Sequence, residues 1–229
     1  MKKTLTIILI IAILIAGVVF ACIKINENNK ETVSTNNTNT NGIDYLVLVN
    51  KQNKLPDDWE EKVEIITVKD AWGDDIKVEK QAYEKYLELK SALEQEQVYI
   101  ELDSCYRSVA AQQELWDRWT REKGIDYVRT YVAVPGYSEH HTGLALDICI
   151  KVNGELVYEN EDMIAQREIF AKIHAKLADY GFILRYLENR DDITGYAYEP
   201  WHLRYVGSTE IAKEIMSKDI TFEEYLGRN

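Results

Sequence analysis

Residues 143–157 read GLALDICIKVNGELV, and this stretch decides the fold. Gly143–Ile150 is an apolar run of strand length. Asn153-Gly154 then places two residues that tolerate positive φ next to each other, the mark of a tight hairpin. The chain therefore turns back antiparallel. Upstream, Val98, Ile100 and Leu102 alternate with Tyr99, Glu101 and Asp103, which reads as a half-buried strand. Tyr45–Val49, Thr130–Val134, Phe182–Tyr186 and Trp201–Val206 read as further strands. Helical spacing runs through 78–95 (Val78, Ala82, Tyr83, Tyr86, Leu87, Leu89) and 161–180, the latter closed by Gly181. Ser108 reads as the N-cap of a helix with Val109, Gln112, Leu115, Trp116 and Trp119 on one side. Ser208 and Thr221 open two short final helices, and Thr221-Phe222-Glu223-Glu224 fits a capping box. Helices and strands mix without a βαβ repeat. The expected class is α+β, with a mainly antiparallel central sheet flanked by helices.

The chain has 229 residues, with 27 Lys+Arg against 39 Asp+Glu, a formal charge of −12. An acidic surface of this kind argues against nucleic acid as a partner. Cys22, Cys105 and Cys149 are too few and too scattered for a disulfide scaffold. Lys2 and Lys3 precede an apolar run from Leu5 to Ile23, long enough at ~1.5 Å per residue to approach a bilayer's hydrocarbon thickness. Residues 1–23 are therefore expected to be a signal anchor or a lipoprotein signal, the latter because Cys22 follows Ala21. Residues 24–42, rich in Asn and Thr, are expected to be a flexible spacer. Residues 43–229 are expected to form one domain outside the cell membrane, and a monomer.

The chain carries four histidines. A catalytic zinc wants three protein ligands and an open position, which His140, Asp147 and His202 can supply. Asp147 lies inside an apolar strand, where a carboxylate must be paired or must bind a cation. Each alone has a bland reading as an ordinary polar residue. Glu199, three residues before His202, can act as a base beside the metal; Pro200 speaks against a helical HExxH arrangement. Arg107 follows the strand 98–104 and could hold a carboxylate or an oxyanion, or form a structural ion pair.

Ser138-x-His140-x-x-Gly143-x-Ala145-x-Asp147, followed by Glu199-x-x-His202, resembles the zinc D-alanyl-D-alanine carboxypeptidases of the VanY type, relatives of VanX dipeptidases and L,D-carboxypeptidases. Tyr106-Arg107-Ser108-x-x-x-Gln112, Pro135-Gly136-Tyr137-Ser138 and Glu199-Pro200-Trp201-His202-Leu203-Arg204-Tyr205-Val206-Gly207 extend the resemblance over about residues 43–229. It implies Zn2+ on His140, Asp147 and His202, Glu199 as general base and acid, and Arg107 on the scissile carbonyl. It further implies substrate contacts from Ser138 and Gln112, with Ser108, Tyr106 and Trp201 as additional candidates. His141 is expected in the cleft wall and His174 on the solvent side of its helix. Cys105 stands where this family has Gly, and it and Cys149 are expected as reduced buried thiols.

The implied reaction is release of the terminal D-alanine from peptidoglycan pentapeptide stems or their lipid-linked precursor, in wall maturation or in removing the target of glycopeptide antibiotics. An L,D-carboxypeptidase acting on tetrapeptide stems shares these motifs. A non-catalytic peptidoglycan-binding module is a remoter alternative. The donor set also suits other divalent metals.

Overall fold

The computed structural model describes residues 42–228. In chain order these form α1 (Trp59–Lys62), β1 (Ile65–Lys69), β2 (Asp75–Glu79), α2 (Lys80–Gln95), β3 (Tyr99–Ser104), α3 (Val109–Lys123) and α4 (Ile125–Tyr131). There follow β4 (Ala145–Val152), β5 (Glu155–Val157), α5 (Asn160–Ala165), α6 (Arg167–Leu177), β6 (Phe182–Leu184), α7 (Asp191–Thr194), β7 (His202–Tyr205), α8 (Thr209–Lys218) and α9 (Phe222–Tyr225). Strand β4 is central. The main sheet runs β3-β4-β7-β6, with β5 also on β4, and each pairing is antiparallel. The expected α+β class and antiparallel sheet are observed.

Side chains alternate across a strand, so β4 divides its residues between two faces. Leu146, Ile148 and Ile150 enter the core with Ile100, Leu102, Leu203, Tyr205, Phe182 and Leu184 from the neighbouring strands. Tyr86, Leu89 and Leu93 of α2 and Phe170, Ile173 and Leu177 of α6 complete that core. Asp147 is left on the opposite face. Its register partner in β7 is His202, and residues directly opposed in an antiparallel pair share a face. The sheet register therefore brings two candidate ligands together. On the other flank the β3–β4 ladder is irregular between Leu102 and Ser104, so Asp103 falls in a bulge beside Asp147. The hairpin at Asn153-Gly154 has positive φ at both residues, 54° and 89°, as a primed turn requires.

Several elements differ from the sequence expectation. Tyr45–Val49 is largely buried but forms no strand; the Arg204 guanidinium takes the carbonyls of Tyr45 and Val47 that a neighbouring strand would have used. Residues 65–79 form a β1–β2 hairpin, so Val78 belongs to a strand and the helix begins at Lys80, with the Glu79 side chain accepting from Ala82 N–H. Thr130–Val134 is the end of helix α4 and the loop after it, not a strand. Helix formation restarts after Gly124, and Trp119 packs on Tyr127 with ring centroids 5.9 Å apart. The helical stretch 161–180 is broken at Gln166 into α5 and α6. The N-terminal anchor, its lipoprotein alternative and nearly all of the spacer lie outside the described residues. Among the described residues no helix is long and apolar enough to cross a membrane.

Candidate metal centre

His140 sits in a 3-10 turn over Glu139–Thr142. Gly143 ends that turn at φ +73°, a backbone state that disfavours any side chain. The His140 ring Nδ1 lies 2.6 Å from the Cys105 carbonyl oxygen. A carbonyl only accepts, so Nδ1 carries the proton and Nε2 keeps its lone pair. That Nε2 points at Asp147 Oδ2, 3.3 Å away. His202 uses the opposite ring nitrogens. Its Nε2 lies 3.1 Å from Glu139 Oε2, which leaves Nδ1 facing Asp147 Oδ1 at 3.0 Å and Glu199 Oε2 at 3.7 Å.

Ligand atoms from His140, Asp147 and His202 all lie within 4.8 Å of one another. Asp147 Oδ1 is buried and receives no hydrogen bond. A carboxylate oxygen and an imidazole lone pair thus face each other with no donor between them. A proton shared between the two groups, or a metal ion, would resolve that contact. The electrostatics agree. Against the opposing pull of burial, the Asp147 and Glu139 carboxylates push His202 up to about 10. Asp147 is held far below the usual carboxylate range, the two histidines outweighing its burial. A site that draws positive charge so strongly, through two imidazoles and one carboxylate, fits a divalent zinc.

Glu199 lies on the open side of this set. Its side chain is 30% exposed, and desolvation, aided by the Asp147 and Glu139 charges, pushes its carboxyl up to about 7. Arg107 stands across the cleft. Its NH1 donates to Gln112 Oε1 at 2.9 Å, and Gln112 Nε2 donates to the Ala133 carbonyl at 2.8 Å. Arg107 is also fixed through its backbone, which donates to the His140 carbonyl at 3.1 Å. A cleft of about 360 Å³ opens onto the ligands and Glu199, lined further by Asp103, Arg107, Gln112, Ser138, Tyr196 and Trp201.

Other candidates are engaged elsewhere. Ser108 caps α3, its Oγ accepting from Ala111 N–H at 3.1 Å. The Tyr106 hydroxyl donates to Glu60 at 3.2 Å. Neither lines the cleft. His141 is a buried brace, not cleft wall: Nε2 accepts from Gly136 N–H at 3.0 Å and Nδ1 meets the Arg107 carbonyl at 2.6 Å. His174 is not on the solvent side; it packs on Phe170 and reaches the Pro200 carbonyl at 2.9 Å. Cys105 and Cys149 are both buried and free, as expected. Asp103, Glu139 and Tyr196 were not singled out from sequence. Asp103 was one residue of a strand alternation, and burial raises its carboxyl to about 6. Glu139 stood in the motif as a spacer.

Three ligands with an accessible carboxylate beside them suit a catalytic metal, not a closed structural one, so the fold carries a metallohydrolase centre. The chain belongs to the VanY family of D-alanyl-D-alanine carboxypeptidases, matched over residues 75–208, and is a zinc metallopeptidase of that group. It is 36% identical over 202 residues to the putative carboxypeptidase YodJ of Bacillus subtilis, covering 86% of this chain and 72% of that one. Among solved structures it is similar to the LD-carboxypeptidase LdcB, with TM-score 0.69 and 34% identity over 80% of this chain and 86% of that one. It is also similar to the vancomycin-resistance D,D-pentapeptidase VanY in complex with Zn(II), with TM-score 0.64 and 31% identity over 80% and 98% of the two chains.

Proposed function

We propose that this chain is a zinc-dependent D-alanyl-D-alanine carboxypeptidase that releases the terminal D-alanine of peptidoglycan pentapeptide stems. The observation that carries the reading is the convergence of His140, Asp147 and His202 on one point, with Glu199 alongside. His140 Nε2, His202 Nδ1 and the Asp147 carboxylate would hold the zinc. Bound there, zinc polarises the scissile carbonyl and lowers the pKa of water to ~7.

The rest falls to the chain's own side chains. Glu199 Oε2 takes a proton from the attacking water and returns it to the nitrogen of the departing D-alanine. In the metal-free site burial pushes its carboxyl up to about 7; the charge of a bound zinc would draw it down again, favouring the ionised form that takes the proton. Arg107 donates to the carbonyl oxygen as charge develops on it, and Gln112 keeps the guanidinium aimed. Ser138 and Trp201 line the cleft where the end of the peptide would lie. No side-chain nucleophile is needed. Residues 5–23 would tether the domain beside its membrane-linked substrate, where a spacer-held enzyme works at high effective concentration.

The likeness to LdcB favours a second reading, L,D cleavage of tetrapeptide stems by the same machinery. The test is D-alanine release by the zinc-loaded full-length protein from a muramyl pentapeptide and, separately, a muramyl tetrapeptide. Release from the pentapeptide is expected. Release from the tetrapeptide alone would move the assignment to the L,D class. Cleavage of neither, with zinc bound stoichiometrically, would overturn both.

A further inference from the structure

Beneath the metal centre lies a fully buried chain of charges that the reaction does not use. Glu139 Oε2 meets His202 Nε2, and its Oε1 accepts from Arg185 Nε at 2.8 Å and Arg204 NH1 at 2.7 Å. Arg185 then pairs with both oxygens of Glu223, at 2.8 and 2.6 Å. Asn50 Nδ2 closes the far end on Glu223 Oε1 at 3.0 Å. The four charged side chains are at most 3% exposed. Two guanidinium and two carboxylate charges cancel, so the chain can lie in the interior without a net charge. Phe222 packs over both guanidinium groups, 5.6 Å from Arg185 and 5.0 Å from Arg204.

We infer that Glu139 is the positioning residue of the metal histidine, and that Glu223 and Asn50, from outside the family-matched segment 75–208, hold it in place through Arg185. The inference rests on the zinc reading above. The physical reason lies in the imidazole. His202 can offer its Nδ1 lone pair only while its proton stays on Nε2, and Glu139 is the acceptor there. A carboxylate behind a ligating imidazole fixes the tautomer and ring orientation and raises the ring's basicity. Glu139 could not sit there uncompensated, because a lone buried carboxylate is strongly disfavoured. Arg185 and Arg204 supply the compensation, and Glu223 prevents Arg185 from becoming the next unpaired charge. The final helix α9 and the segment around Asn50 are thus coupled to zinc affinity although neither reaches the cleft.

The test measures zinc affinity of the chelator-stripped full-length protein by competition with a chromophoric chelator, with folding followed separately by circular dichroism. Glu139→Gln is expected to loosen zinc by about 10–100-fold. Glu223→Gln keeps the side chain's shape and touches no ligand, and is expected to loosen zinc several-fold. The two effects should not multiply in the double variant, because they act through one path. A purely structural role predicts a lower melting temperature with unchanged zinc affinity, and affinities within twofold of wild type in both variants would overturn the inference. Should Glu139→Gln fail to fold, Glu223→Gln decides alone by the same criterion. A wild-type protein that binds no zinc would instead sink the metal reading itself.

Discussion

Replacing Glu199 by Gln should cripple the enzyme and stabilise its zinc-stripped fold, and both effects can be sized from the site. Gln keeps the shape but cannot carry a proton between water and the leaving amine. Positioned acid–base catalysis contributes ~10²–10⁴ in rate, and Glu199 serves two transfers. A loss of about 10³-fold or more in kcat is expected, some 4 kcal/mol of barrier at ~1.36 kcal/mol per decade. Because Glu199 is not a ligand, zinc content and KM should hardly move. The stability effect has the opposite sign. Desolvation, assisted by Asp147 and Glu139, raises the carboxyl from 4.5 to about 7, so ionising it in place costs up to ~3 kcal/mol. Between those values the native state holds a proton that the unfolded chain has released. Stability contributed by this group is therefore full below pH 4.5 and lost as pH rises through 7. Gln removes that slope. At pH 8 the zinc-stripped variant should melt several degrees above zinc-stripped wild type, since ~1 kcal/mol moves a domain of this size by ~2–4 °C. The assays are oxidase-coupled D-alanine release, zinc content and thermal melts at pH 5 and 8. A variant with kcat within tenfold of wild type and full zinc would refute Glu199 as the base. Identical pH dependence of melting in the two zinc-stripped proteins would refute the electrostatic argument for its pKa.

Gln112→Ala should lower kcat/KM by about tenfold with zinc content unchanged, because it leaves the Arg107 guanidinium held only by Ser104 Oγ and strands the Ala133 carbonyl; unchanged steady-state kinetics would remove Gln112 from the positioning of Arg107. Gly143→Ala should cost about 1–3 kcal/mol in urea unfolding, since a Cβ at φ +73° would lie 2.7 Å from Ile65 Cδ1; an unshifted midpoint would show that the turn before β4 can relax. A β-lactam should leave D-alanine release untouched and add no mass to the protein, whereas o-phenanthroline should abolish release, because in the proposed mechanism Glu199 activates water and no covalent intermediate forms. A covalent penicilloyl adduct with loss of activity would contradict that mechanism.

What was readable in the sequence is what short-range chemistry determines. His140, Gly143 and Asp147 fall within one decapeptide, and Glu199 and His202 within one turn, so their pattern survives without knowledge of the fold. Strand β4 and its hairpin were equally plain, since apolar period and turn chemistry are local. Two strand assignments failed for a shared reason. Tyr45–Val49 and Thr130–Val134 have strand-like composition, but composition does not say what will satisfy the backbone. In the first case a guanidinium 157–159 residues away takes the carbonyls; in the second, helix α4 packs back on α3 through Trp119 and Tyr127.

Glu139 was illegible for a deeper version of that reason. Its partners Arg185, His202 and Arg204 lie 46, 63 and 65 residues away in sequence, so a motif reading treats it as the filler between Ser138 and His140. Electrostatics would have treated it differently. The chain has 27 basic residues against 39 acidic ones, yet places Arg185 and Arg204 where neither reaches water. Burying an arginine is costly unless a carboxylate meets it, and a carboxylate that meets two of them still has a second oxygen to offer. Here that oxygen faces His202 Nε2. The order of dependence is thus the reverse of the motif's emphasis. The ligands are visible because their spacing is fixed, but the nitrogen that His202 presents is set by an acid whose burial only the rest of the chain can sustain.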